Sequence, residues 1–105
     1  MNGMINKMKK YAIYYGLGGG FGGARFSHIE SFYNYDSAMD YAYEYALEEY
    51  INYTGLHGLR SYEEIMEEEG VDQFDAEEIM LQDAESWLDY YVKEVLDDQT
   101  EEDFE

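Results

Sequence analysis

The spacing of apolar positions changes three times along this chain. Over residues 10–16, KYAIYYG, aromatic and β-favouring side chains crowd a short run that predicts a strand. Glycine then dominates residues 16–24, GLGGGFGGA, before residues 25–33, RFSHIESFY, alternate as a second strand. Two strands joined by glycines predict a hairpin with a long connection, whose tip residue Phe21 can fold back as a plug. From residue 37 the period lengthens. Ala38, Met39, Ala42, Tyr43, Ala46, Leu47, Tyr50 and Ile51 recur at three- and four-residue spacing, which predicts a helix over 37–52 capped by Asp36 or Ser37.

Residues 54–60, TGLHGLR, read as a connection. Ser61 with Glu64 then matches a capping box that opens a short second helix, closed by Gly70. Asp75 is the expected cap of a third helix, with Ala76, Ile79, Met80, Ala84, Trp87, Leu88 and Tyr91 as its apolar stripe. Residues 90–95, YYVKEV, fit either the end of that helix or a third strand, and the marginal stability of a two-stranded hairpin weighs toward the strand. The expectation is an α+β fold in one domain over residues 8–96: an N-terminal hairpin packed on two longer helices and one short one. Residues 1–7 are expected as a flexible leader and 97–105 as a disordered acidic tail.

Charge changes this picture more than composition does. Hydrophobic content is 46% and aromatics reach 18%, enough large rings to build a core despite a net charge of −19. The charge is segregated. Up to Tyr35 the chain has Lys7, Lys9, Lys10 and Arg25 against Glu30 alone, a formal +3; beyond it only Arg60 and Lys93 oppose the remaining twenty-four carboxylates, −22. A field of that sign repels nucleic acid and anionic membrane and attracts basic surfaces. The expected partner is therefore a basic nucleic-acid-binding protein, such as a nuclease or a nucleoid protein, with no direct nucleic-acid or membrane contact.

Asp40, Glu44 and Glu48 carry this reading most specifically. Residues four apart are neighbours on a helix, where like charges cost roughly 0.2–0.5 kcal/mol per pair. A merely solvated face would be served as well by alternating Glu and Lys. The bias recurs at Glu63, Glu64, Glu67, Glu68 and Glu69 and again from Glu77 to Asp89. Tyrosines are interspersed, and rings among carboxylates can bury area against Arg and Lys. The expected contacts are Asp40, Glu44, Glu48, Glu64, Glu67, Glu68, Tyr41 and Tyr45. A homodimer would lengthen the acidic array, though no heptad requires one.

Catalytic chemistry has little to stand on. Cysteine is absent, which removes thiol nucleophiles and Cys-based zinc sites and suits a reducing cytoplasm. His28 and His57 lack metal-ligand spacing, and no serine lies in a nucleophile-elbow pattern. Gly18, Gly20 and Gly23 formally satisfy G-x-G-x-x-G, but the segment that follows is a poor helix in too short a unit for dinucleotide binding. No enzyme activity, metal or cofactor is expected. An alternative from another class is a small interaction module that meets its partner through the Gly-rich hairpin and the 54–60 loop, with the acids serving solubility.

The segments KYAIYYGLGGGFGGARF, GLHGLRSYEEIMEEEG and ESWLDYYVKEV together resemble small acidic proteins encoded by bacteriophages and prophages, a likeness covering roughly residues 8–95. The resemblance implies a bacterial cytoplasm during infection and an inhibitory role. Separately, the charge composition is similar to that of DNA-mimic inhibitors, including anti-restriction and anti-CRISPR proteins.

Overall fold

A computed structural model describes residues 7–56 and 58–105. The expected leader therefore lies outside the described residues except for Lys7, and His57 lies outside them too. Strand β1 (Lys9–Leu17) passes through a 3-10 turn (Gly19–Phe21) into β2 (Gly23–Phe32). Helices α1 (Tyr35–Tyr53), α2 (Tyr62–Glu69) and α3 (Gln73–Glu85) follow. Strand β3 (Leu88–Glu94) and a second 3-10 turn (Glu101–Asp103) complete the order. The sheet is antiparallel, β2-β1-β3, and with its three helices it is an α+β fold.

Of residues 90–95, all but Val95 resolve as strand, within β3. The third helix stops at Glu85, so Trp87, Leu88 and Tyr91 do not continue its stripe, and Tyr91 is 37% exposed on the sheet. β-Favouring Tyr90, Tyr91 and Val92 beside an otherwise two-stranded hairpin supply the reason. Two caps lie upstream of their expected positions. Asn34 Oδ1 accepts from the Ser37 N–H at 2.8 Å to start α1, and Asp72 Oδ1 accepts from the Asp75 N–H at 2.9 Å to start α3. Asn and Asp rank equally as caps, and in each case the earlier one meets the chain as it leaves extended backbone. The capping box of α2 and its closure at Gly70 form as expected.

Residues 97–105 are not a disordered tail. Thr100 and Asp103 cap the second 3-10 turn, and Phe104 is only 8% exposed against the sheet. Its ring finds aromatic surface there, which a run judged by its acids alone conceals.

Strand β1 is buried on both sides. Tyr11 and Ile13 meet Ala38, Ala42 and Val92 on the α1 side, while Ala12 and Tyr14 meet Phe104 on the other. A bulge opposite Ile13 and Tyr14 leaves Ser27 without a partner. It turns Phe26 and His28 to opposite faces although they are two apart in sequence. Gly16 is required where it stands, since a Cβ there would lie 2.5 Å from the Gly23 carbonyl oxygen. Gly23 itself has φ +85°, and the Asp89 carboxylate accepts from the adjacent Ala24 N–H at 2.8 Å, tying β3 to the loop end. Phe21 does fold back, its ring 5.9 Å from that of Trp87.

Beyond the sheet end, Tyr50 joins Leu17 to Leu59, Ile65, Ala76, Met80 and Ala84, so one ring links the sheet to α2 and α3. The ring is fully buried, yet its hydroxyl has no hydrogen-bond partner among the described residues. Removing that hydroxyl relieves a desolvation penalty, whereas removing the ring opens a cavity. Tyr50→Phe is expected to raise thermal stability by roughly 1 kcal/mol. Tyr50→Ala is expected to lower it by about 3–5 kcal/mol. Thermal melts of the two variants beside the parent check the pair.

Candidate protein-binding surface

Helix α1 has three kinds of surface. Ala38, Ala42, Ala46 and Tyr50 form its buried stripe, whose small side chains let the helix approach the sheet closely. Its flanks carry rings: Tyr43 lies edge-on to Tyr90 at 5.6 Å, while Tyr41 packs on Phe32 at 4.9 Å. Asp40, Glu44 and Glu48 occupy the remaining face, and all three are exposed. At a rise of about 1.5 Å per residue the row repeats every ~6 Å. Stacked like charges oppose helix formation, so the packing of the alanine stripe must hold this helix together.

Tyr41 and Tyr45 are half-buried and committed within the fold. His28 Nε2 lies 2.8 Å from the Tyr41 hydroxyl, which donates on to the Tyr45 hydroxyl at 3.2 Å, and Ser27 Oγ lies 2.8 Å from His28 Nδ1. A consistent donor order runs from Ser27 through an Nε2-protonated His28 and Tyr41 to Tyr45. Tyr45 also tilts against Tyr15 at 5.1 Å. Burial, then the hydrogen bond with Tyr45, raises the Tyr41 pKa well above the ordinary tyrosine value. Their α1 neighbours Asp40 and Glu44 thus share a helix with them but not a role.

The α2 carboxylates divide similarly. Glu67 is exposed. The Glu64 carboxylate accepts from the Ser61 N–H at 3.0 Å and completes the capping box. Glu68 accepts from Arg60 at 3.3 Å, together with Glu69 at 3.0 Å and Asp83 at 2.8 Å. Those hydrogen bonds, Glu69 first and Asp83 next, raise the Arg60 pKa above its ordinary value. A single guanidinium therefore gathers carboxylates from α2 and α3. The structure leaves Asp40, Glu44, Glu48 and Glu67 outward and gives Glu64, Glu68, Tyr41 and Tyr45 internal duties.

Sequence reasoning missed one surface outright and named the other only as the Gly-rich hairpin, without Tyr53 and Trp87. Phe74 is 79% exposed at the start of α3, in a shallow recess with Glu77, Glu78 and Leu81. Its position outside the apolar stripe was a signal for this. A second recess of about 380 Å³ is lined by Gly20, Phe21, Tyr53 and Trp87. The described residues contain no cluster of three or more metal-ligating side chains and no helix long and apolar enough to cross a membrane. Comparison with protein-family models, with curated proteins and with solved structures gives no match.

Two predictions follow from Arg60 and Tyr41. Arg60→Met leaves three carboxylates facing one another, so it is expected to lower the melting temperature, with the deficit shrinking as salt rises from low to molar ionic strength. Equal deficits at both salts would contradict this account. For Tyr41, the raised pKa means that the folded state holds a proton the unfolded state releases above pH ~10. Its contribution to stability is complete below that pH and is lost as pH climbs through the folded value. Burial raises Tyr14 and Tyr50 as well, so a phenolate absorbance titration is expected to show several late-titrating tyrosines, with one fewer in Tyr41→Phe.

Proposed function

We propose that this chain is a non-enzymatic acidic inhibitor that occupies the basic nucleic-acid-binding surface of another protein. The outward row Asp40, Glu44 and Glu48 on α1 carries the reading. Among the described residues these carboxylates cap no helix and bridge no base, so their repulsion has no internal return there. Magnitudes agree with a mimic. The net charge of −19 is spread over a longest dimension of 57 Å, one charge per ~3 Å. Duplex DNA carries about one per 1.7 Å of axis and a single strand about one per 3.4 Å. Opposite charge would speed encounter with a cationic groove, and desolvated pairs would slow release.

The resemblance to phage and prophage proteins supports a setting in the bacterial cytoplasm, with a defence nuclease or a nucleoid protein as target. The apolar recess beside the Gly-rich turn favours a second reading, in which Phe21, Tyr53 and Trp87 with the 54–60 loop form the contact and the acids keep the protein soluble.

A pull-down from bacterial lysate at low and high salt, competed with duplex DNA, tests the first reading. A captured basic protein is expected to be released by either salt or DNA. The triple change Asp40→Asn, Glu44→Gln, Glu48→Gln is expected to weaken its binding at least tenfold while leaving the melting temperature equal or higher. Affinity unchanged by the triple change but abolished by Phe21→Ala would instead establish the second reading.

A further inference from the structure

Helix α1 covers one face of the sheet, and among the described residues the other face is met by the segment after β3, through Phe104 and its neighbours. That second face is aromatic and cationic. Tyr14 stands at its centre, stacked on Tyr91 at 4.4 Å and edge-on to Phe26 at 5.6 Å. Lys93 Nζ lies 5.2 Å from the Tyr14 ring centroid and 5.8 Å from that of Tyr91. Phe104 reaches this layer from the second 3-10 turn. Its ring stacks on Phe26 at 6.3 Å, and the Tyr14 hydroxyl donates to its carbonyl oxygen at 2.8 Å. Its neighbours Asp103 and Glu105 help line a groove of about 620 Å³ over Tyr14, Ala24 and Phe26, with Arg25 and Lys93 on the same walls.

We propose that this face is a binding site for an acidic–aromatic peptide segment, a ring flanked by carboxylates, and that residues 96–105 are its built-in competitor. The occupant already in place defines the chemistry. A ring enters the Tyr14 and Phe26 slot, a peptide carbonyl takes the Tyr14 hydroxyl, and carboxylates lie near Arg25 and Lys93. The occupant is also lightly held. Beyond Val95, whose N–H bonds the Lys10 carbonyl, the only hydrogen bond from this segment to the sheet among the described residues is the one from Tyr14. Its other hydrogen bonds among the described residues are internal: between Leu96 and Gln99, between Thr100 and Asp103, and from the Phe104 N–H to the Glu101 carbonyl. Leu96, Asp97 and Asp98 are exposed.

Charge distribution points to the same site. Arg60 is held by three carboxylates, and every other base in the chain, Lys7, Lys9, Lys10, Arg25 and Lys93, lies on or beside the strands. A short peptide suits this locally cationic patch better than a polynucleotide, whose long phosphate run would meet the −19 of the whole chain. A segment tethered by a few residues acts at an effective concentration on the order of millimolar. An external peptide with equal contacts therefore binds measurably only when Phe104 is lifted. The site is independent of the acidic face of α1, and neither proposal requires the other.

The test uses the full chain and a fluorescently labelled, amidated peptide of the sequence DDQTEEDFE, followed by polarisation. The peptide is expected to bind the Phe104→Ala variant at least tenfold more tightly than the parent chain. Tyr14→Phe keeps every ring but takes the same hydrogen bond from the built-in segment and from the peptide, so it is expected to give no gain comparable to that of Phe104→Ala. A peptide with Ala in place of its Phe is expected to bind neither variant, and adding Lys93→Glu is expected to weaken binding to Phe104→Ala at least fivefold. No saturable binding to either variant, affinity indifferent to the peptide's ring, or displacement of the peptide by an equimolar thymidine oligonucleotide would each overturn the proposal.

Discussion

One guanidinium answers the repulsion between two helices. α2 presents Glu63, Glu64, Glu67, Glu68 and Glu69, and α3 presents Asp75, Glu77, Glu78, Asp83 and Glu85, with no base in either helix. Ile65, Ala76, Met80 and Ala84 draw the pair together around Tyr50. That attraction works against like charges on both partners. Arg60, placed just before α2, binds Glu68 and Glu69 of α2 and Asp83 of α3 at one point. Each exposed pair alone would contribute little. Shared among three carboxylates that otherwise repel, the same charge fixes where α3 can sit, and so where the chain re-enters the sheet as β3.

That re-entry arranges the rest. With β3 beside β1, the central strand is hydrogen-bonded on both edges and covered on both faces, by α1 on one and Phe104 on the other. Apart from Arg60, the Lys and Arg residues lie on or beside the strands, while all the acids except Glu30, Asp89 and Glu94 lie outside the strands, on the helices, their connections and the final segment. The molecule is therefore electrically divided along the same line that divides sheet from helices. The two surfaces proposed as binding sites fall on either side of that division.

Much of this was legible because the signals were local. The hairpin, the alanine stripe of α1, the capping box at Ser61 and the stop at Gly70 each depend on residues within a few positions of one another. What was not legible depended on residues far apart. Tyr91 fits a helical stripe until β1 offers it a strand partner, when Tyr14 takes it as a stacking neighbour. Phe104 lies in DDQTEEDFE, a run that looks disordered by composition, and only the far side of the sheet supplies its partner. Asn34 and Asp72 took the caps expected at Asp36 or Ser37 and at Asp75, because several good capping residues stand three or fewer positions apart. Within the candidate surface, the exposure of Asp40, Glu44 and Glu48 was readable from helical spacing. The Glu64 bond was legible as the capping box with Ser61, whereas the internal bonds of Glu68, Tyr41 and Tyr45 required their partners Arg60 and His28 to be in place.

The placement of the tyrosines also limits how the acidic face can bind. Had Tyr41 and Tyr45 been free, α1 would offer both charge and apolar area to a partner. They are instead tied to His28, Phe32 and Tyr15, so the outer face of α1 offers charge with little area. Contacts of that kind steer encounter and set salt dependence more than they set residence time. Lasting association needs buried rings or aliphatic groups. On the acidic helices the most exposed ring is Phe74, beside Leu81 and framed by Glu77 and Glu78. A cationic groove that met both α1 and α3 would find steering on the first and an anchor on the second. Under the proposed function, such a division of labour would let the charge row serve rapid capture but not hold a partner alone.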